Sequence, residues 1–204
     1  MSLFTFFKTH HDNQIRSIRD SDIDCLYPLH IQQVAHRHWT PVSVTQSAVK
    51  FLARDYGAKI LDIGSGVGKF CLAAARFQPD CYYYGVEQRE HLIEYAEKAK
   101  FELDLHNVSF IHSNMKNIDF GDYDHFYFFN SFYEHLDNTV RIDDHTRLSI
   151  ELYHEYTNYL FNQLYNRRSG TRLVTYFARK EQVPPVFSLQ RSESFGSIKF
   201  WTRN

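Results

Sequence analysis

Cysteine is scarce, with Cys25, Cys71 and Cys81 the three in 204 residues. The number is odd and no pair stands as C-x-x-C, so neither a disulfide framework nor a zinc knuckle is implied. An excess of charge is lacking as well. With 23 Lys and Arg against 24 Asp and Glu, the net charge is −1. That balance argues against a basic nucleic-acid footprint over the whole chain and leaves room only for a local patch. No apolar run approaches the ~20 residues of a membrane helix. The stretch Met1–Lys8 has neither the basic start nor the sustained apolar core of a signal peptide, so a cytoplasmic location is expected. Repeats, low-complexity tracts and a composition break that would mark a second domain are absent too. His36-Arg37-His38 raises the question of a metal, but no further ligand stands at a familiar spacing, and no metal site is expected.

What is present is an ordinary globular composition, 43% hydrophobic and 23% charged, with an aromatic content of 17% from 18 Phe and 14 Tyr. At this length one domain can bury a sizeable interior. The aromatic residues can fill that interior or line a pocket.

Only eight glycines are available, and three of them fall in Ile60-Leu61-Asp62-Ile63-Gly64-Ser65-Gly66-Val67-Gly68-Lys69-Phe70. Ile60 to Ile63 is a short apolar run suited to a buried strand. Val67, Phe70, Cys71 and Ala74 then recur at helical spacing. Strand, glycine turn, helix is a place where a ligand approaches bare backbone, and where N–H groups favour anionic atoms. Asp62 puts a carboxylate at the strand end. Glu87 ends a second strand-like run, Cys81–Val86, at the remove of about 20 residues where doubly wound folds hold a ribose. A dinucleotide fingerprint wants its last small residue three positions after the second glycine, where Lys69 stands here.

The rest of the chain alternates. Residues 1–20 read as a clasp or loose arm. Residues 21–35 have helical spacing that Pro28 interrupts, so a bent helix or two pieces is expected. Thr40-Pro41 reads as N-cap and first helical residue of a helix reaching about Tyr56, closed by Gly57. After the glycine turn come a helix ending near Pro79, the strand to Glu87 and a helix through Leu103. The strand Val108–His112, a fourth strand over Tyr123–Phe129 and a long helix from about Asp144 to Asn166 follow. Three strands close the chain, near Arg172–Phe177, Val186–Gln190 and Ser197–Thr202. The expected fold is a doubly wound, mostly parallel seven-stranded α/β sheet with an antiparallel C-terminal strand. The expected organisation is a single domain over 1–204, with 1–56 an N-terminal helical extension and 57–204 the core.

Asp62 to Gly68 followed by Gly85-Val86-Glu87 resembles the first two motifs of the class I S-adenosylmethionine-dependent methyltransferases. The resemblance implies a Rossmann-like sheet and S-adenosylmethionine as cofactor. It implies cofactor-binding roles for Asp62, Gly64, Ser65, Gly66, Gly68, Glu87 and Gln88, for Asn114 and Met115 against adenine, and for Trp39 and Thr40 as a lid over the methionine end. The end of the fourth strand, Asn130-Ser131-Phe132-Tyr133, would face the transferable methyl, with Asn130 contacting cofactor and acceptor and Phe132 and Tyr133 as aromatic walls. These three are the catalytic candidates. The segment is not Asn/Asp-Pro-Pro-Tyr/Phe. It is similar to the Asn-Asn-Phe stretch of the non-SET histone-lysine methyltransferases, with Ser131 replacing the second asparagine. The implied activity is methyl transfer to an amine, hydroxyl or other nucleophile of an unidentified acceptor, a protein lysine among the candidates, with protein or small molecule favoured over nucleic acid. The alternatives are a non-catalytic cofactor-binding module and a dinucleotide oxidoreductase. Arg167, Arg168 and Arg172 stand close enough to touch an acidic partner, though a solvated helix end is the plainer expectation.

Overall fold

A computed structural model describes residues 18–137, 141–143 and 146–204; most of the expected N-terminal arm lies outside them. Seven strands form one sheet in the order β3-β2-β1-β4-β5-β7-β6. They are β1 (Lys59–Ile63), β2 (Tyr82–Glu87), β3 (Val108–His112), β4 (His125–Phe129), β5 (Arg172–Tyr176), β6 (Phe187–Glu193) and β7 (Ile198–Arg203). The first five pair in parallel, while β7 runs antiparallel to both β5 and β6. The order reverses at β1, where β2 and β4 flank it. A doubly wound sheet opens its ligand crevice at such a switch point, outside the carboxyl ends of the strands.

Alternation along each strand divides the core. Ile60, Tyr83, Tyr127 and Val174 face α4 (Val42–Leu52) and α5 (Lys69–Phe77). Leu61, Ile63, Phe126, Phe128 and Leu173 face the opposite way, toward α7 (Ile150–Tyr165). Both faces of the sheet centre are covered, so β1 and β4 are buried almost throughout, whereas the edge strand β6 is polar and mostly exposed. A third cluster joins α5 and α6 (Glu90–Glu102) to the N-terminal helices through Ile23, Tyr27, Trp39, Val67, Leu72 and Leu92. Among the described residues no helix is long and apolar enough to cross a membrane.

Several expected boundaries move. The N-terminal segment forms three short helices, α1 (Asp20–Asp24), α2 (Leu29–Gln32) and α3 (Ala35–His38), with Pro28 separating the first two at the start of α2 and a second break at Gln33–Val34. Helix α4 begins at Val42, not Pro41, and stops at Leu52, short of Tyr56. Thr40 does not cap it, because its hydroxyl is taken by the Tyr127 hydroxyl at 2.9 Å. Helix α7 begins at Ile150, where Ser149 Oγ accepts the Leu152 N–H. The Asp144 expected to open it lies outside the described residues.

Candidate active site

A cavity of about 690 Å³ opens at the carboxyl ends of β1, β2 and β4. Its floor is the glycine turn. The Gly64 and Ser65 N–H groups both donate to the Val86 carbonyl, each at 2.9 Å, which ties the turn to β2. Gly64 has φ +75°, and a Cβ there would lie 2.3 Å from Ser131 Oγ. Ser131 donates in turn to the Ile63 carbonyl at 2.8 Å, clamping the end of β4 to the end of β1. A glycine is required at 64 on both counts. Gly66, at φ +54°, is different, since a Cβ there would meet nothing within 4 Å. Its open side is cavity. Gly68 does not line the cavity; its position is set by Phe110, whose ring a Cβ would strike at 2.3 Å.

Two carboxyl groups face this floor from buried positions. Asp62 lies on the α5 side of β1, with Cys71 Sγ at 3.8 Å. Burial, and secondarily the nearby Glu87, pushes its pKa up to about 8. Glu87 accepts the Gly66 N–H at 3.2 Å and the Arg89 N–H at 2.9 Å, and burial raises its carboxyl as well. A buried carboxyl that binds its proton this firmly is poised for a cation or for hydroxyl donors.

The sequence-predicted residues converge here, except Gly68. Trp39, Thr40, Asp62, Gly64, Ser65, Gly66, Glu87, Gln88, Asn114, Met115, Asn130, Phe132 and Tyr133 all line the cavity. Asn114 opens a short 3₁₀ turn by accepting the Lys116 N–H. It also donates to the Tyr156 hydroxyl at 2.9 Å, beside Gln88. Phe132 is buried between Phe128 and Tyr156 rather than standing free as a wall. Tyr133 is 38% exposed, with the Arg179 guanidinium 5.9 Å from its ring centre. Asn130 has φ +25° and Phe177 φ +52°, so both loops that follow β4 and β5 carry a non-glycine residue in a sparsely populated conformation. Such strain concentrates at ligand sites. Phe129, Tyr176 and Phe177 pack ring to ring beside them, at 4.5–6.2 Å between centres.

Four lining residues escaped the sequence reading as site groups. Tyr156 comes from α7, too distant in sequence for any spacing rule. Buried Lys69 holds Asp20 and Asp24 at 2.6 Å each and so fastens α1 to the glycine turn. Buried Arg89 joins Glu87 to the segment after β4. Its guanidinium meets Glu134 at 2.8 Å and Asp143 at 2.7 Å, and Glu134 also accepts the Ile142 N–H. Arg179 comes from the loop after β5. A lone Lys or Arg carries no motif, so only the fold could select these. Arg168 and Arg172 instead pair with Asp124 and Asp55 at the other end of the strands.

Comparison with known proteins agrees with this geometry. A family model described as a methyltransferase domain matches residues 54–143. The tRNA (guanine-N(7)-)-methyltransferase of a Synechococcus species is 49% identical over 55 residues, 27% of this chain and 23% of that protein. The release factor glutamine methyltransferase of Buchnera aphidicola is 37% identical over 70 residues, 34% of this chain and 25% of that protein. This chain thus spans about a quarter of the length of either relative. An RNA methyltransferase of Salinibacter ruber, solved with S-adenosyl-L-homocysteine, shares the fold. It has a TM-score of 0.55 at 19% identity, covering 80% of this chain and 91% of its own.

Proposed function

We propose that this chain, which carries a class I S-adenosylmethionine-dependent methyltransferase domain, methylates a nitrogen of a nucleobase in RNA. The cofactor suits the residues present. Gly66 leaves open the space a side chain would fill, and Asp62 and Glu87 offer two buried carboxyls, unsuited to a pyrophosphate. When bound, S-adenosylmethionine supplies an electrophilic methyl group on a sulfonium. Asp62 would hold the ammonium of the methionine end and Glu87 the ribose hydroxyls, with Gln88, Asn114, Met115 and Tyr156 around adenine.

The observation that carries the acceptor is the mouth formed by the loops after β4 and β5. Tyr133 and Phe177, 38% and 54% exposed, flank Asn130, and Arg179 lies over the tyrosine. Exposed rings and a guanidinium at the rim of a cavity suit a flat heteroaromatic base, and base stacking on such a ring is worth about 1–3 kcal/mol. Arg37 also lines the cavity and brings positive charge to it despite the net charge of −1. The preference for protein or small molecule drawn from composition is therefore reversed. Lysine is disfavoured further, because the Ser131 hydroxyl is engaged with backbone carbonyls.

The site needs no dedicated base for a ring nitrogen with a free lone pair. Glu134 is held by Arg89 and Ile142, and the His135 ring accepts the Ser149 N–H at 3.2 Å. Burial lowers the pKa of that ring, so it is a poor proton store. Positioning of the acceptor is what these residues contribute. Incubation with tritiated S-adenosylmethionine and total cellular RNA, protein or small-molecule extract tests the reading. Ribonuclease-sensitive label supports it, and label confined to protein or small molecules refutes it. Binding of S-adenosylhomocysteine without label anywhere identifies a non-catalytic module.

A further inference from the structure

Asn130 is oriented by a residue far along the chain that no motif includes. Gln182 sits at the end of a 3₁₀ turn, Lys180–Gln182, in the loop after β5, and its side chain is fully buried at 0% exposure. It bridges the two loops of the acceptor mouth. The Arg179 N–H meets one end of its amide at 2.8 Å, and the other end meets the Asn130 side chain at 3.3 Å.

The chemistry of these contacts fixes a polarity. A backbone N–H can only donate, so the Gln182 atom facing Arg179 is Oε1. The atom left to face Asn130 is Nε2, which can only donate, and the Asn130 atom that receives it is Oδ1. Asn130 Nδ2 is what remains. It makes no hydrogen bond among the described residues, and Asn130 is half-buried on the cavity wall. The Tyr133 N–H donates to the Asn130 carbonyl at 3.0 Å, holding the backbone while the side chain is set.

We infer that Gln182 is a positioning residue that makes Asn130 present an N–H to the acceptor, so that the substrate carries a carbonyl oxygen or unprotonated ring nitrogen beside the atom methylated. The inference rests on the acceptor site placed above. A substrate with an amine hydrogen at that point would set donor against donor and leave both unpaired, at a cost. Bases with a carbonyl beside a ring nitrogen are accepted, and those with an amino group there are disfavoured.

Gln182→Glu tests it with nearly unchanged shape. The introduced carboxylate still accepts the Arg179 N–H but has no hydrogen for Asn130. The Asn130 amide then turns, Nδ2 donates inward and Oδ1 faces the cleft. Protonating the introduced carboxyl restores the original arrangement. In the full chain with S-adenosylhomocysteine bound, nuclear magnetic resonance of side-chain amides reads this without any acceptor. In the wild type, the Asn130 amide protons should exchange with water about tenfold faster than those of Gln182, the factor a hydrogen bond of ordinary net strength supplies. In Gln182→Glu they should slow about tenfold, relative to a free asparagine amide at the same pH, once the pH is high enough to ionise the buried carboxyl, and recover that relative rate below its titration. Protected Asn130 protons in the wild type overturn the inference, and so does unchanged exchange in a folded variant.

Transfer of tritiated methyl to total RNA gives the second readout. Gln182→Glu should lose about tenfold or more above the titration of its buried carboxyl, regain it below, and bind S-adenosylhomocysteine as before. Wild-type transfer by the variant above that titration overturns the role. Wild-type label in protein rather than RNA refutes the nucleobase reading, and the exchange measurement then decides the polarity by itself.

Discussion

Replacing Asp62 by Asn should make the protein more stable and a worse binder of its cofactor. Folding buries Asp62 and raises its carboxyl from 3.8 to about 8. Between pH 4 and 8 the unfolded chain has released this proton while the folded chain keeps it, so stability falls as pH rises and levels off above 8. At about 1.4 kcal/mol per pH unit, the accumulated cost at pH 7 reaches roughly 4 kcal/mol as an upper bound. An asparagine has the same shape and does not titrate. Asp62→Asn should therefore raise the melting temperature at pH 7 by roughly 5–15 °C for a chain of this size, and should flatten its dependence on pH from 4 to 8. A bound ammonium reverses the preference of the carboxyl. Wild-type affinity for S-adenosylhomocysteine should rise with pH toward 8, and calorimetry in buffers of different ionisation heat should find close to one proton released at pH 7. The variant should lose roughly 10–100-fold in affinity, the worth of a charge-assisted hydrogen bond, and release no proton. Wild-type affinity that does not change between pH 6 and 8, or a variant that binds as tightly as the wild type, would refute the role given to Asp62.

Gly66→Val should abolish S-adenosylhomocysteine binding by filling the open side of the turn, and strain at φ +54° should lower the melting temperature; calorimetry on folded variant decides it. Tyr133→Ala and Phe177→Ala should each cost roughly 5–100-fold in kcat/KM toward RNA, the worth of one stacked base, with cofactor affinity unchanged; a matching loss of cofactor affinity would contradict their placement at the mouth. Lys69→Met should destabilise by about 1–3 kcal/mol, because Asp20 and Asp24 lose their partner and a half-removed pair leaves unpaired charge. Limited proteolysis should then cut first between α1 and α4.

The order of elements and the glycine-turn side of the cavity were legible in the sequence because both are written locally. A run such as Ile60–Ile63 next to closely spaced glycines specifies strand, turn and helix within a dozen residues. The rise of one strand then brings Glu87 to that turn, where it accepts the Gly66 N–H. Parallel order follows from alternation, since β1 can pair with β2 and β4 only through crossovers. Thr40-Pro41 misled for the converse reason. The local capping preference is worth about 1 kcal/mol, and the buried Tyr127 hydroxyl, which had to find a partner, took Thr40 instead.

The cavity walls away from the glycine turn depended on contacts between distant segments. Arg89 is an unremarkable arginine until the fold surrounds it with Glu87, Glu134 and Asp143. Tyr156 reaches Asn114 only because α7 packs across the face of the sheet that carries β4. Gln182 reaches Asn130 only because β4 and β5 lie side by side and end at the same edge. Burial also decided which charges matter, since a carboxylate at a strand end is ordinary in water, and desolvation, with Glu87 nearby, makes Asp62 hold its proton near neutrality. Sequence determined the glycine turn on the cavity floor, because its geometry is set by neighbours along the chain. Tertiary structure decided the polarity and the walls of the mouth beside it, because hydrogen bonds and ring contacts there join residues that no local rule relates.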